Sequence, residues 1–154
     1  MDDSARERLE AAWKTDAPRL WRALLATTGD VAVADDALGE AFAQALSRGG
    51  ELRDPTRWIW RAAFKIAAGE MQRRRTTQPF VEDHAVPDDE EAHALVAALQ
   101  QITPRQRSVL VLHYYAGYRT REVAQILGMS PSTARVHLTT GRRRLRRLLE
   151  DDDA

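Results

Sequence analysis

Residues 120–149 read TREVAQILGMSPSTARVHLTTGRRRLRRLL, and the fold turns on how this stretch is read. Val123, Ala124 and Leu127 recur at helical spacing with Ile126 beside them, which predicts a short amphipathic helix. Gly128 ends it, because a left-handed C-cap costs glycine no Cβ clash. Ser130 then serves as an N-cap and Pro131 as the first helical residue, where a missing N–H leaves no bond unmade. The second piece is longer. Ala134, Leu138, Gly141, Leu145, Leu148 and Leu149 fall on one face, and Ser132, Arg135, Val136, Thr139, Arg143 and Arg146 fall on the other. The pattern predicts a helix-turn-helix whose second helix is polar and basic, the shape that presents side chains to a DNA major groove. A hairpin of two helices with a merely solvated basic face is the plainer alternative. The agreement of cap, turn length, small Ala124 and basic helix favours DNA.

The charge distribution agrees. The 154 residues sum to zero net charge, but residues 92–147 carry +9, residues 76–91 carry −6 and residues 148–154 carry −4. A local excess of this size is the electrostatic footprint of a polyanion partner. The absence of Cys excludes disulfides, thiolate metal sites and thiol nucleophiles. No apolar run approaches the roughly 20 residues that span a bilayer, and the N-terminal MDDSARERLE is too charged for a signal peptide. A cytoplasmic protein without membrane insertion is expected. His84, His93, His113 and His137 have no ligand spacing, and no Ser or carboxylate sits in a catalytic motif. The expectation is therefore no enzyme, no metal, no cofactor and no small-molecule substrate.

Upstream, Leu9, Ala12 and Trp13 open a helix that Asp16 and Pro18 are expected to interrupt or restart before Leu20, Trp21, Leu24 and Leu25. Asp30 caps a second helix from Val31 to about Ser47. Ala34, Leu38, Ala41, Phe42, Ala45 and Leu46 face its core side, with Asp35, Asp36, Glu40 and Gln44 outward. Residues 48–53, RGGELR, read as a loop. A third helix starts at Asp54-Pro55 and runs to about Arg75. Its expected core stripe is Trp58, Ile59, Ala62, Ala63 and Ile66. Arg57, Trp60, Arg61 and Phe64 then cluster opposite, with Lys65 at the edge. Aromatics beside cations suit base stacking next to phosphate neutralisation. Packing of Trp60 and Phe64 on the first helix is the alternative, and helical geometry alone leaves both open.

Residues 76–91, TTQPFVEDHAVPDDEE, with two Pro and no apolar period, read as a linker. Ala92, Leu95, Val96, Leu99 and Ile102 make a further helix. Thr103-Pro104-Arg105-Gln106 is a capping box opening a helix to Tyr115. The fold class is all-α: two small helical domains, 1–75 and 92–150, joined by an acidic linker, the second ending in the helix-turn-helix, with an acidic tail at 151–154.

In this order the elements resemble the extracytoplasmic-function (ECF) group of bacterial RNA polymerase sigma factors, over nearly the whole chain. GDVAVADDALGEAF (29–42) is similar to that family's clamp-docking helix. RWIWRAAFKIAAGEMQRRR (57–75) is similar to its Trp-rich promoter-opening helix, and ITPRQR (102–107) to the start of its duplex-reading domain. Gly39, Lys65 and Gly69 stand where the family usually has Gln, Asn and Asp. The resemblance implies a subunit that binds core RNA polymerase, on the clamp of the β′ subunit, and directs promoter-specific initiation. It implies Asp35, Asp36, Glu40 and Gln44 as the polymerase-docking set. Arg48, Arg53, Arg57, Trp60, Arg61, Phe64 and Lys65 would act at a melted −10 element, with the loop 47–53 holding a flipped base. Ser130, Ser132, Thr133, Arg135, Val136, Thr139, Arg142 and Arg143 would act at a −35 duplex. There Arg can pair bidentately with G, and Val or a Thr methyl can meet a thymine methyl. Arg119, Thr120 and Arg121 would hold phosphates. Promoter DNA and an anti-sigma factor complete the partners implied. The rival readings are a stand-alone helix-turn-helix regulator, and a degenerate sigma-like protein that sequesters a partner.

Overall fold

The computed structural model describes residues 3–77 and 90–152; the side chains of residues 75–77, 92 and 152 lie outside the description. All regular structure among the described residues is helical. The chain divides near residue 82 into two compact units. The predicted linker falls largely on residues 78–89, and the end of the predicted tail on residues 153–154, both outside the described residues.

The first unit packs α1 (Asp3–Thr28), α2 (Val31–Arg48) and α3 (Pro55–Thr77) against one another, with a 3₁₀ turn at Gly49–Glu51. Helix α2 buries a ridge of small side chains, Ala34, Ala37, Ala41 and Ala45, at three- and four-residue spacing. Small residues let neighbouring helices approach closely, and Leu20 and Leu24 of α1 and Ile59 of α3 fill the space between them, all buried. Asp30 caps α2 by accepting from the Val33 N–H at 3.1 Å, and its other oxygen accepts from Arg74 near the far end of α3. The buried hydroxyls of Thr27 and Thr28 donate to the carbonyls of Ala23 and Leu24, both at 2.8 Å, so the last turn of α1 leaves neither group unmatched.

Three expectations are corrected here. Helix α1 runs straight through Pro18. An interior proline costs a helix about 3 kcal/mol, but Ala17 and Leu20 on either side are buried, and packing holds the element together. Leu46 is exposed, 44%, instead of facing the core. The largest correction is the phase of α3. Its core stripe is Ile59, Trp60, Ala63, Phe64 and Ala67. Trp58, Ala62 and Ile66 are only half-buried. The stripe is turned by about one residue, roughly 100° of helix rotation, from the expected one.

The second unit contains α4 (Glu90–Leu99), α5 (Pro104–Leu110), α6 (Thr120–Leu127) and α7 (Pro131–Asp152). Glu90 and Glu91, assigned to the linker on sequence, form the first turn of α4, where carboxylates favour the positive end of the helix. Ile102 lies beyond the end of α4, buried at 3% exposure. The capping box at α5 is formed in both directions: the Gln106 N–H donates to the Thr103 hydroxyl and the Thr103 N–H to the Gln106 amide oxygen, each at 3.2 Å. Past Leu110 the helix widens into a π turn, Val111–Tyr115, where a plain α-helix was expected, and the Ala116 N–H reaches back to the Val111 carbonyl at 3.1 Å. Helix α7 extends through Asp151 and Asp152, which had been assigned to a tail. All four tryptophans lie in the first unit and all three tyrosines in the second.

Candidate functional site

The helix-turn-helix is built by local chemistry. Gly128 closes α6 at φ 68°, ψ 37°, a conformation that burdens any residue with a Cβ. Two residues later Ser130 caps α7, accepting from the Thr133 N–H at 3.1 Å and donating to the Thr133 hydroxyl at 2.8 Å. These two hydroxyls therefore serve the cap first. Ala134, fully buried, pins α7 against its neighbours. Gly141 lets α7 and α5 touch: a Cβ there would stand 3.0 Å from the Gln106 Cβ and 3.3 Å from Leu110 Cδ1. With that side packed, Ser132, Arg135, Val136, Thr139 and Arg143 are all exposed. Val136 is 63% exposed, a branched apolar side chain held out in water. Arg119 and Arg121 at the start of α6 are exposed, and Thr120 is half-buried. The Glu122 carboxylate accepts from the Arg119 N–H at 3.1 Å and so fixes this N-terminus. Arg142 donates to the Tyr114 hydroxyl at 3.0 Å, so its guanidinium is steered toward the turn before α6.

In the first unit the structure separates residues that the sequence grouped. Trp60 is 1% exposed and Phe64 3%, so neither lies on an open face. Packing against α1 and α2 takes them in, and from α1 Asp16 accepts the Trp60 indole N–H at 3.2 Å, giving the buried ring a polar partner. Phe64 then stacks on it, with ring centroids 6.1 Å apart. Arg48, Arg53, Arg61 and Lys65 remain exposed. Arg57 is half-buried and pairs with Asp54 at 3.8 Å. Between α2 and α3 lies an open groove of about 520 Å³, lined by Arg48, Trp58, Arg61, Lys65 and Arg73 among others.

The acidic residues of α2 do share a face. Asp35, Asp36 and Glu40 are exposed and Gln44 half-buried, its amide donating to Glu40 at 3.0 Å. Asp35 is oriented by the Trp21 indole N–H at 2.7 Å. Trp21, Trp13 and Leu38 border a second, apolar groove of about 590 Å³ beside that carboxylate. Trp13 is held edge-on against Phe42, with centroids 4.6 Å apart and rings at 86°.

Residues 92–145 match the family described as Sigma-70, region 4. Over 96% of its length the chain is 29% identical to RNA polymerase sigma factor CarQ of Myxococcus xanthus, covering 92% of that protein. Over 93% it is 28% identical to ECF RNA polymerase sigma factor SigL of Mycobacterium tuberculosis, covering 89%. Along nearly its whole length the chain is thus similar to sigma factors, SigL of the ECF group among them. Its fold also matches the sigma factor RpoE solved with the anti-sigma factor NepR from Bartonella quintana: TM-score 0.82, 18% identity, 94% of this chain and 98% of that one.

Two features of this chain escaped the sequence reading. Trp13, Trp21 and Leu38 border the acidic face, and only the i,i+4 spacing of Trp21 and Leu25 with the capped start of α2 hinted that α1 reaches Asp35. Arg107 is the other. It is 6% exposed and its guanidinium donates to the carbonyls of Leu99 at 2.6 Å, Ile102 at 3.2 Å and Gln100 at 3.4 Å. It thereby satisfies the last carbonyl of α4 and two carbonyls of the turn that follows it, inside the domain that carries the helix-turn-helix. The last position of ITPRQR gives no sign of this by itself.

Proposed function

We propose that this chain is a promoter-specificity subunit that binds core RNA polymerase and directs initiation by reading two promoter elements with its two units. The observation that carries the reading is the exposed strip Ser132, Arg135, Val136 and Thr139 on a capped, close-packed helix, in a chain similar to sigma factors along nearly its whole length. Residues 92–150 take the −35 duplex. Arg135 reads a base edge, Val136 and Thr139 meet thymine methyls, and Arg119, Arg121 and Arg143 hold phosphates. Arg142, tied to Tyr114, serves the backbone rather than a base.

Residues 1–75 take core polymerase and the melted −10 strand. Asp35, Asp36 and Glu40 supply charge to the β′ clamp, and the Trp13–Trp21–Leu38 groove supplies the apolar centre that a docking face needs. Arg48, Arg53, Arg61 and Lys65 neutralise the separated strand. Trp60 and Phe64 support that surface from the core. The chain has no catalytic role of its own and works in the cytoplasm. An anti-sigma factor is a further partner by analogy with RpoE, solved with one.

The test is assembly of the full chain with core polymerase, against an Asp36→Arg/Glu40→Arg variant, followed by transcription from a promoter library. Wild type should form the complex and select a subset of promoters, and the variant should not assemble. A chain that binds duplex DNA but no polymerase is a stand-alone regulator, and the proposal fails.

A further inference from the structure

The π turn at Val111–Tyr115 carries two side chains that neither promoter-reading surface uses, His113 and Tyr114. Turns of this width are rare and gather at functional sites. Three bonds hold this one. The Ala116 N–H donates to the Val111 carbonyl and the Tyr118 N–H to the Leu112 carbonyl, each at 3.1 Å. The His113 Nδ1 donates to the Tyr118 carbonyl at 2.8 Å, and because a carbonyl only accepts, the proton sits on that nitrogen. The His113 ring meets the Tyr114 ring edge-on, with centroids 4.9 Å apart and planes at 79°. Tyr114 is thus braced by its neighbour, yet it stands 55% exposed. Its oxygen accepts from the Arg142 guanidinium at 3.0 Å, which leaves the phenolic proton to be given elsewhere. Among the described residues no acceptor takes that proton and no carboxylate pairs with Arg142. On α7, Arg142 follows Arg135 by seven residues, about 20° around the helix and about 10 Å along it. It therefore continues the strip of Arg135 and Thr139 toward the end where a recognition helix leaves the bases and meets the backbone. A phenol proton beside a guanidinium is a pair of donors suited to one phosphate.

We propose that Tyr114 is a DNA-contact residue, its hydroxyl donating to the same backbone phosphate that Arg142 pairs with at the edge of the duplex site. The π turn is the device that brings the phenol to α7. The Arg142 bond polarises the phenol O–H and strengthens the bond it gives. The inference rests on the duplex reading above and adds to it a contact from the element before the helix-turn-helix. A free phosphate ion offers the same chemistry. The duplex is favoured because the pair lies in line with Arg135 and Thr139.

The test uses the full chain, alone and assembled with core polymerase. The probes are the duplex best retained from a random-sequence pool and a scrambled duplex of the same length and composition. Tyr114→Phe keeps the exposed ring and removes only the hydroxyl, so the fold is unaffected. It should weaken both duplexes by the same factor, about three- to tenfold, the worth of one hydrogen bond, because a phosphate carries no sequence. The slope of log affinity against log salt should not change, since no cation is lost. Arg142→Gln should lower that slope by about 0.9. Neutral methylphosphonates placed one at a time along the selected duplex should cost wild type affinity at one phosphate where they cost Tyr114→Phe/Arg142→Gln nothing. Unchanged affinity in Tyr114→Phe overturns the assignment. A slope that falls in Tyr114→Phe as it does in Arg142→Gln also overturns it, because the phenol would then act only by holding the guanidinium. So does displacement of duplex by inorganic phosphate, at fixed ionic strength, that Tyr114→Phe abolishes. A wild type that selects its duplex while Tyr114→Phe matches it leaves the duplex reading standing and removes Tyr114 alone. A wild type that holds neither duplex in either state removes both.

Discussion

Replacing Arg107 with Met removes a guanidinium and leaves a side chain of similar length in the same buried place. The Leu99 and Ile102 carbonyls then lose bonds of 2.6 and 3.2 Å, and Gln100 a longer one of 3.4 Å. A buried acceptor left without its donor costs about 1–3 kcal/mol. Two well-formed bonds, less the relief of no longer burying a cation, give a loss of about 3 kcal/mol. For a domain of 60–100 residues each kcal/mol moves the midpoint by about 4–8 °C, so the second unit should melt about 12–24 °C lower. Arg107→Lys keeps the charge but not the fork, and should recover less than half of the loss. Far-UV circular dichroism resolves the transition, and tyrosine emission assigns it to the second unit. A Met variant that melts within about 4 °C of wild type, or a Lys variant that restores the midpoint fully, would refute the claim that this fork holds the end of α4.

Gly39→Ala should stabilise the first unit by up to about 1 kcal/mol, since the new methyl meets nothing within 4 Å and helix propensity improves. Gly141→Ala should gain nothing or lose about 1 kcal/mol, because its methyl would stand 3.0 Å from a Gln106 side chain fixed by its capping box; urea midpoints decide both. Arg135→Ala should weaken binding to a selected promoter duplex by about 1–3 kcal/mol and leave random duplex nearly unchanged, and equal losses in a gel-shift titration would remove Arg135 from base reading. The hydrogen bond from Arg73, with its charge and that of Arg74, holds the Glu70 carboxyl below the usual carboxylate range of 4.5 against the opposing effect of desolvation. A depressed acid contributes stability above its unfolded pKa and loses it as pH falls through the folded one. Wild type should therefore lose more stability than Glu70→Gln below about pH 4.5, and parallel acid curves would show the carboxylate to be inert.

The parts of this fold that were legible in the sequence were those set by neighbours along the chain. Gly128, Ser130, Pro131 and the Thr103–Gln106 box act within four residues of themselves, and each does in the structure what its chemistry requires. The basic face of α7 was legible because Ala134 and Gly141 leave only one side able to pack. The phase of α3 was not. That helix carries apolar residues on two adjoining strips, 58–62–66 and 60–64–67, and packing against α1 and α2, with distant Asp16 as the partner of the Trp60 indole, turns the second strip inward. Pro18 misled for the same reason, since a local penalty was outweighed by burial elsewhere in α1. Arg107 was not singled out, because nothing in ITPRQR records that its guanidinium reaches back to the carbonyls of Leu99, Gln100 and Ile102.

The segregation of aromatic residues gives the molecule two separate optical channels. Excitation at the red edge of the indole band reaches Trp13, Trp21, Trp58 and Trp60, all in the first unit, while the phenols Tyr114, Tyr115 and Tyr118 are all in the second. Within the first channel Trp13 sits at the edge of one groove and Trp58 on the wall of another, while Trp60 is sealed in the core. In the isolated chain, indole emission therefore reports on the first unit and phenol emission on the second, so unfolding of the two units can be told apart in one unlabelled sample.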